Sequence, residues 1–266
     1  MQLLPSENEY DLWCSFRQIL SACLTGGSIP SAKEKLIDWR YFYADQGKGK
    51  VTCGVVREAV ARYLRSTLSP ADFLTHHWYD SLKGAGRNPS VLGFYVETML
   101  LSWISLNGCA AAGHEFSGRP RTFFFNEPKP TMDQESPNSL YIPAAFNYKA
   151  VDGILVALDT ANDTARITAI RITISERHSD SEARFFTDWK WWRDIVACSK
   201  VKFRFLWIIE DVGNKPAIQM VEAEARQIRR QEQIWSPDFE RRCVSVKDVS
   251  MDIGIKLEAA RKARHS

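Results

Sequence analysis

Three charged side chains in apolar surroundings are the residues best placed to do chemistry in this sequence. Asp152 opens the run VDGILVAL beside Gly153, Arg171 lies within ARITAIRITIS, and Glu97 is the one charge in VLGFYVETMLLSWISLNG. A carboxylate inside an apolar helix is costly unless it pairs with a cation or binds a metal. Carboxylate oxygens are the ligands that a hard divalent cation selects. A guanidinium is the planar fork that holds a phosphate. Brought together, Asp152, Glu97 and Arg171 would face a common metal or phosphate site.

The elements that must position them follow from periodicity and breakers. VLGFYVETMLLSWISLNG is apolar nearly all round, so it reads as a buried helix. RTFFFNE and SLYIPAAF are aromatic or β-branched runs divided by the polar loop EPKPTMDQESPNS, and they read as strands. VDGILVAL and ARITAIRITIS are joined by DTANDT, whose Asp and Asn content suits a hairpin turn. Strand alternation puts Ile170, Ile172 and Ile174 on one face and Ala169, Arg171, Thr173 and Ser175 on the other. Antiparallel pairing can therefore place Asp152 and Arg171 on the same side of neighbouring strands. Gly153 would let a ligand or another backbone come close. SEARFFTDWKWWRDIVACS reads as a helix, and FRFLWIIED as a strand covered on both faces. The tail from Ala217 reads as charged and helical, with a short strand at RCVSVKD.

Residues 1–90 read as a mostly helical extension. Tyr10, Trp13, Phe16, Ile19 and Leu20 recur at helical spacing until Gly26-Gly27. Ser31 and Glu34 resemble a capping box opening SAKEKLIDWRYF, and VTCGVVREAVARYLRSTL is a third helix. ADFLTHHWYDSL is a further short piece, and the loop KGAGRNPS, with Gly84, Gly86 and Pro89, sets the boundary with the α/β part at 91–266. The expected fold class is α/β, a mixed central sheet flanked by helices.

Composition narrows the function classes. The 266 residues are 45% hydrophobic, too apolar for a disordered chain. No run of about 18 apolar residues exists, so no membrane partner is expected. MQLLPSENEYDLW has no basic and apolar leader pattern. Cys14, Cys23, Cys53, Cys109, Cys198 and Cys243 form no CxxC pair and read as reduced core thiols of an intracellular protein. The net charge of +3 permits a nucleic-acid partner without demanding one.

The pattern GFYVETMLLSWI, LYIPAAFNYKAVDGILVAL, ARITAIRITISERHSD and FRFLWIIED resembles the PD-(D/E)xK nuclease superfamily. More narrowly it is similar to the nuclease-like domains of Crinkler effectors and retrotransposon hot spot proteins. The matching positions are Glu97 on the helix, Pro143 leading to Asp152, Arg171 with Thr173, and His178. The resemblance implies a restriction-endonuclease-like fold and a metal-dependent DNA nuclease that hydrolyses phosphodiester bonds. In that reading Asp152 and Glu97 hold Mg²⁺ or Mn²⁺ and Arg171 grips the scissile phosphate. Those three are then the catalytic residues, while Arg171, Thr173 and His178 contact substrate. Nucleic acid, DNA in particular, is the implied partner, and the nucleus an implied site of action. Two positions depart from the family. Ala169 stands where the second acid belongs, and Arg171 replaces the usual Lys or Gln. A guanidinium is too basic to act as a general base. Glu97, or Glu176 swinging in, would have to complete the magnesium site.

Each residue also has a structural reading. Asp152 ends a strand in a turn, and Glu97 is half of a buried ion pair with Arg171 itself. His178 and His76-His77 are loop and structural histidines. Trp189, Trp191 and Trp192 are core packing with one exposed ring, or a base-stacking surface. Arg226, Arg229 and Arg230 form a solvated helix face or contact phosphate. The alternative to a nuclease is therefore a catalytically inactive relative that binds nucleic acid or a partner protein. A third reading makes the chain a scaffold whose N-terminal helices assemble it into an oligomer through the aromatic cluster Trp39, Tyr41, Phe42 and Tyr43.

Overall fold

The computed structural model describes residues 89–125, 129–143, 151–174, 181–210 and 237–265, together with scattered residues between 19 and 82. The expected mixed sheet flanked by helices is present. It has six strands: β3 (Arg121–Phe125), β4 (Asn138–Pro143), β5 (Gly153–Asp159), β6 (Thr164–Thr173), β7 (Lys200–Ile209) and β8 (Phe239–Ser245). They lie in sequence order across the sheet, so among the described residues β3 and β8 are its two edges. The β4–β5 and β5–β6 pairs are antiparallel, and β3–β4, β6–β7 and β7–β8 are parallel.

Helix α1 (Pro89–Asn107) is the apolar helix of the sequence analysis. Proline at its first position costs no hydrogen bond, because that amide has no partner within the helix. Leu92, Tyr95, Val96, Met99, Leu100 and Ile104 are all fully buried. The helix stops at Gly108, whose φ of +78° only glycine adopts freely and whose amide donates to the Ile104 carbonyl at 2.8 Å. α1 packs on the sheet face carrying Leu140, Leu155, Ile170, Ile172, Leu206 and Ile208. The C-terminal helices α4 (Val246–Val249) and α5 (Met251–His265) add Val246, Ile253, Leu257 and Ala260 to that core. Ile19, Leu20, Cys23, Val60, Leu64, Phe73 and Trp78 from the N-terminal region join it as well.

The opposite face carries Tyr141, Ile154, Val156, Ile167, Ala169, Phe205, Trp207 and Ile209. It is covered by α2 (Ser181–Phe186) and α3 (Trp189–Ile195), which make the crossover from β6 to parallel β7. The single helix expected over this stretch is thus two. Thr187 is the break: its amide and hydroxyl both donate to the Ala183 carbonyl at 3.0 Å, and Asp188 leaves helical geometry. The bend lets Phe185 and Phe186 on one piece and Trp192 on the other reach the same sheet face.

The N-terminal region also holds an antiparallel hairpin of β1 (Phe42–Asp45) and β2 (Lys48–Val51), which meets the segments read as helices only at Phe42 and Val51. Gly49 seats it. A Cβ there would lie 2.8 Å from the Cys23 amide nitrogen, so the hairpin packs directly on backbone, a contact that local propensity does not encode. The Ser31–Glu34 capping box lies outside the described residues. So do the KGAGRNPS glycines, His76-His77 and Arg226, Arg229 and Arg230. Cys23 is buried, Cys109 is a buried free thiol, and Cys198 and Cys243 are free and half-buried. Burial pushes the Cys109 thiol up to about 11, which leaves it inert. Among the described residues no helix is long and apolar enough to cross a membrane.

Candidate functional site

The hairpin of β5 and β6 brings Asp152 and Arg171 together, as the strand pattern suggested. Gly153 pairs with Ile170, so β6 runs on past the start of β5. The Asp152 amide donates to the Ile170 carbonyl at 2.8 Å. The next β6 amide facing that way, from Ile172, donates to Asp152 Oδ2 at 2.6 Å. The carboxylate thus does for β6 what another residue of β5 would have done. Its second oxygen, Oδ1, accepts from Arg171 Nη1 at 2.8 Å. The Asp152 side chain is 3% exposed and the Arg171 side chain 18%. Arg171 Nε is buried without a hydrogen-bond partner.

Arg171 therefore pairs with Asp152, not with Glu97. Glu97 is half-buried on α1, which covers the face of Ile170 and Ile172, while Arg171 alternates to the other face. The close approach at Gly153 comes from the same helix: a Cβ there would stand 2.9 Å from Leu101 Cδ2. Leu101, rather than a ligand, is what the glycine admits. Thr173 is buried at the end of β6, and His178 and Glu176 lie outside the described residues.

The position at which the resemblance would put a second acid is equally informative. Ala169 is fully buried in the same apolar cluster as Phe185, Phe205 and Trp207. Core packing has taken this place, and it holds no room for a solvated carboxylate. Asp152 has both oxygens engaged, and among the described residues no group of three His, Cys, Asp or Glu side chains could hold a metal ion. This donor set does not fit Mg²⁺, which demands near-octahedral oxygen coordination.

A neighbouring group escaped the sequence reading. Trp207 stands opposite Arg171 in the β6–β7 register. Its indole Nε1 donates to Glu182 Oε1 at 2.8 Å. Arg241 of β8 donates to the same oxygen through Nε at 2.6 Å and to Oε2 through Nη2. Glu182 is 1% exposed, so this carboxylate too is removed from water and held by fixed donors. The pairing depends on β8, some 30 residues beyond β7 in the chain, and no local pattern signals it.

Trp192 is fully buried, whereas Trp189 and Trp191 are half-buried. Arg193 lies over the Trp189 ring at 5.3 Å and Lys129 over the Trp191 ring at 5.0 Å. Arg184, Lys190, Arg193 and Lys200 are exposed on α2, α3 and the start of β7. Neither a protein-family model, nor a curated protein, nor a solved structure matches this chain.

Proposed function

We propose that this chain is a restriction-endonuclease-like α/β protein that binds DNA without cutting it. The observation that carries the reading is the Asp152 carboxylate, buried and with each oxygen already taken by the Arg171 guanidinium or the Ile172 amide. Metal-dependent phosphodiester hydrolysis needs a carboxylate free to ligate, and a metal to activate water and neutralise the transition state. Ala169 supplies no second acid, and Arg171 is occupied and cannot serve as a base. What supports DNA as the partner is the resemblance to nuclease-like domains, with the cations and half-buried indoles of the α2–α3 face. Cations track a phosphate backbone and aromatic rings accept bases.

The test joins a mobility-shift titration to a plasmid assay. Binding to duplex DNA is expected to weaken linearly in log–log form as salt rises. Supercoiled plasmid is expected to stay intact with Mg²⁺ or Mn²⁺. Nicking that Asp152→Ala abolishes would instead establish the metal-dependent nuclease. Absence of any shift at low salt would remove the DNA-binding reading.

A further inference from the structure

Near the starts of β6 and β7, on the face that α1 covers farther along, lies a cleft of about 360 Å³ that the DNA-binding reading does not use. Register gives its shape. Ala157 of β5, Arg166 of β6 and Lys202 of β7 stand in one row, so their side chains share a face, about 4.8 Å apart from strand to strand. Ala157 is the short member of that row, and the space above its methyl is the floor of the cleft. Asp159 and Thr164 form the next row, and Glu115 and Pro137 wall the sides. Hydrogen-bonding capacity is uneven across this lining. Both acids are spent. Glu115 Oε1 accepts from Nη1 of Arg166 and of Arg204, and its own amide binds the carboxylate as well. Asp159 accepts from the Asn162 amide at 3.2 Å and from the Asn162 side chain at 2.7 Å, one on each oxygen. The cations keep donors in reserve. Arg166 gives only Nη1 to Glu115, and Lys202 is exposed and pairs with no described acid. Arg166, Arg204, Arg242 and Lys202 stand against Glu115, Glu240 and Asp159. One positive charge, that of Lys202, is thus uncompensated among the described residues.

We propose that this cleft binds a small phosphomonoester, with the phosphate held between Arg166, Lys202 and Thr164. Arg166 and Lys202 reach it from neighbouring strands, and the Thr164 hydroxyl from one row away. Three donor groups around one point suit the three terminal oxygens of a phosphate better than the two of a carboxylate. The guanidinium offers a planar fork and the ammonium a compact point charge, and both bind phosphate. Size separates a monoester from the inorganic ion. The volume falls within the range of small-molecule sites, about 300 to 1,000 Å³, so room remains beside the phosphate for the body of the ligand. Pro137 and Ala157 give that body an apolar wall. Glu115 is a positioning residue: fixed by Arg204 at 3.1 Å, it holds the Arg166 fork in the lining. The proposal does not depend on the DNA-binding reading, whose α2 and α3 cover the opposite face of the sheet.

Isothermal calorimetry on the full chain in about 0.15 M salt, with phenyl phosphate, AMP and inorganic phosphate as probes, tests it. Saturable one-site binding is expected for phenyl phosphate and AMP, tighter than for inorganic phosphate, and none for phenol or adenosine. Lys202→Ala is expected to weaken both monoesters about tenfold, the loss of one charge-assisted contact. Lys262→Ala, which removes an exposed lysine of α5, is expected to leave them unchanged. Phenyl phosphate should also raise the unfolding temperature of the unmodified protein more than that of Lys202→Ala. Absence of saturable heat with all three phosphates overturns the proposal, as does binding that Lys202→Ala leaves intact. Inorganic phosphate bound as tightly as both monoesters overturns it too. Displacement of phenyl phosphate by duplex DNA would make the cleft a contact for the nucleic-acid backbone and overturn it as well.

Discussion

Two polar clusters sit on opposite faces of one sheet, and they are built as inversions of each other. Beside Ala169, the acids are buried and the bases reach toward water: Asp152 and Glu182 are nearly inaccessible, while Arg171 and Arg241 are partly exposed. On the other face, near the starts of β6 and β7, the base is buried and the acids are open. Arg204 is 3% exposed, and it donates to Glu240 at 2.7 and 2.9 Å and to Glu115 at 3.1 Å, with Glu240 46% exposed. Arg166 adds a second cation on Glu115, and Arg242 one on Glu240. The contrast bears on function. A carboxylate that is to ligate metal must keep an oxygen turned to solvent. The more exposed acids, Glu115 and Glu240, lie on the sheet face opposite Asp152 and Arg171, and guanidinia hold them too. Asp152 is the acid locked inside.

The comparison sharpens under substitution. Adding an acid to the buried-acid face should do the most damage. Ala169→Glu forces an unpaired carboxylate among Phe185, Phe205 and Trp207 and is expected to cost about 4 kcal/mol in urea unfolding. It is not expected to restore cutting, because the side chain has no route to solvent. Removing a base there comes next. Arg241→Met leaves Glu182 buried with only the Trp207 indole, a loss of about 3 kcal/mol. Asp152→Asn keeps the shape but weakens both charge-assisted contacts, and about 2 kcal/mol is expected. Glu240→Gln on the opposite face should cost only about 0.5 kcal/mol, since its carboxylate is half in water and Arg204 keeps Glu115. A loss at Glu240 as large as that at Arg241 would erase the distinction between the faces.

Acid titration separates the faces by another route. Burial alone would raise the Glu115 carboxyl, but its own backbone hydrogen bond and the guanidinia of Arg166 and Arg204 outweigh it and lower it. Glu240 behaves alike: burial raises it, and Arg204 and Arg242 bring it below the ordinary range. A carboxyl lowered on folding stabilises the fold above its unfolded value, near 4.5 here, and that contribution disappears as pH falls through the folded value. Unfolding free energy should therefore fall below about pH 4.5, and less steeply in the Glu115→Gln, Glu240→Gln double variant.

The sequence was a good guide where a signal is local. Alternation in ARITAIRITIS put Arg171 on the face opposite Ile170 and Ile172, and the apolar circumference of α1 announced its burial. Asp152 opposite Arg171 was legible because a short hairpin fixes the register. Glu182 was not, since its partners come from two later strands in parallel pairing. The β1–β2 hairpin was not legible either, because Gly49 owes its place to the Cys23 backbone rather than to its own neighbours. Whether Asp152 was a ligand or an ion-pair partner could not be settled by type and spacing. That depended on which donors stood within reach of its two oxygens.

Titration of the protein with Mn²⁺ and Mg²⁺ by isothermal calorimetry, on the unmodified chain and on Asp152→Ala, tests the locked carboxylate most directly. The account predicts the same featureless heats of dilution for both proteins. Saturable one-site binding that vanishes in Asp152→Ala would contradict it and return Asp152 to the role of metal ligand.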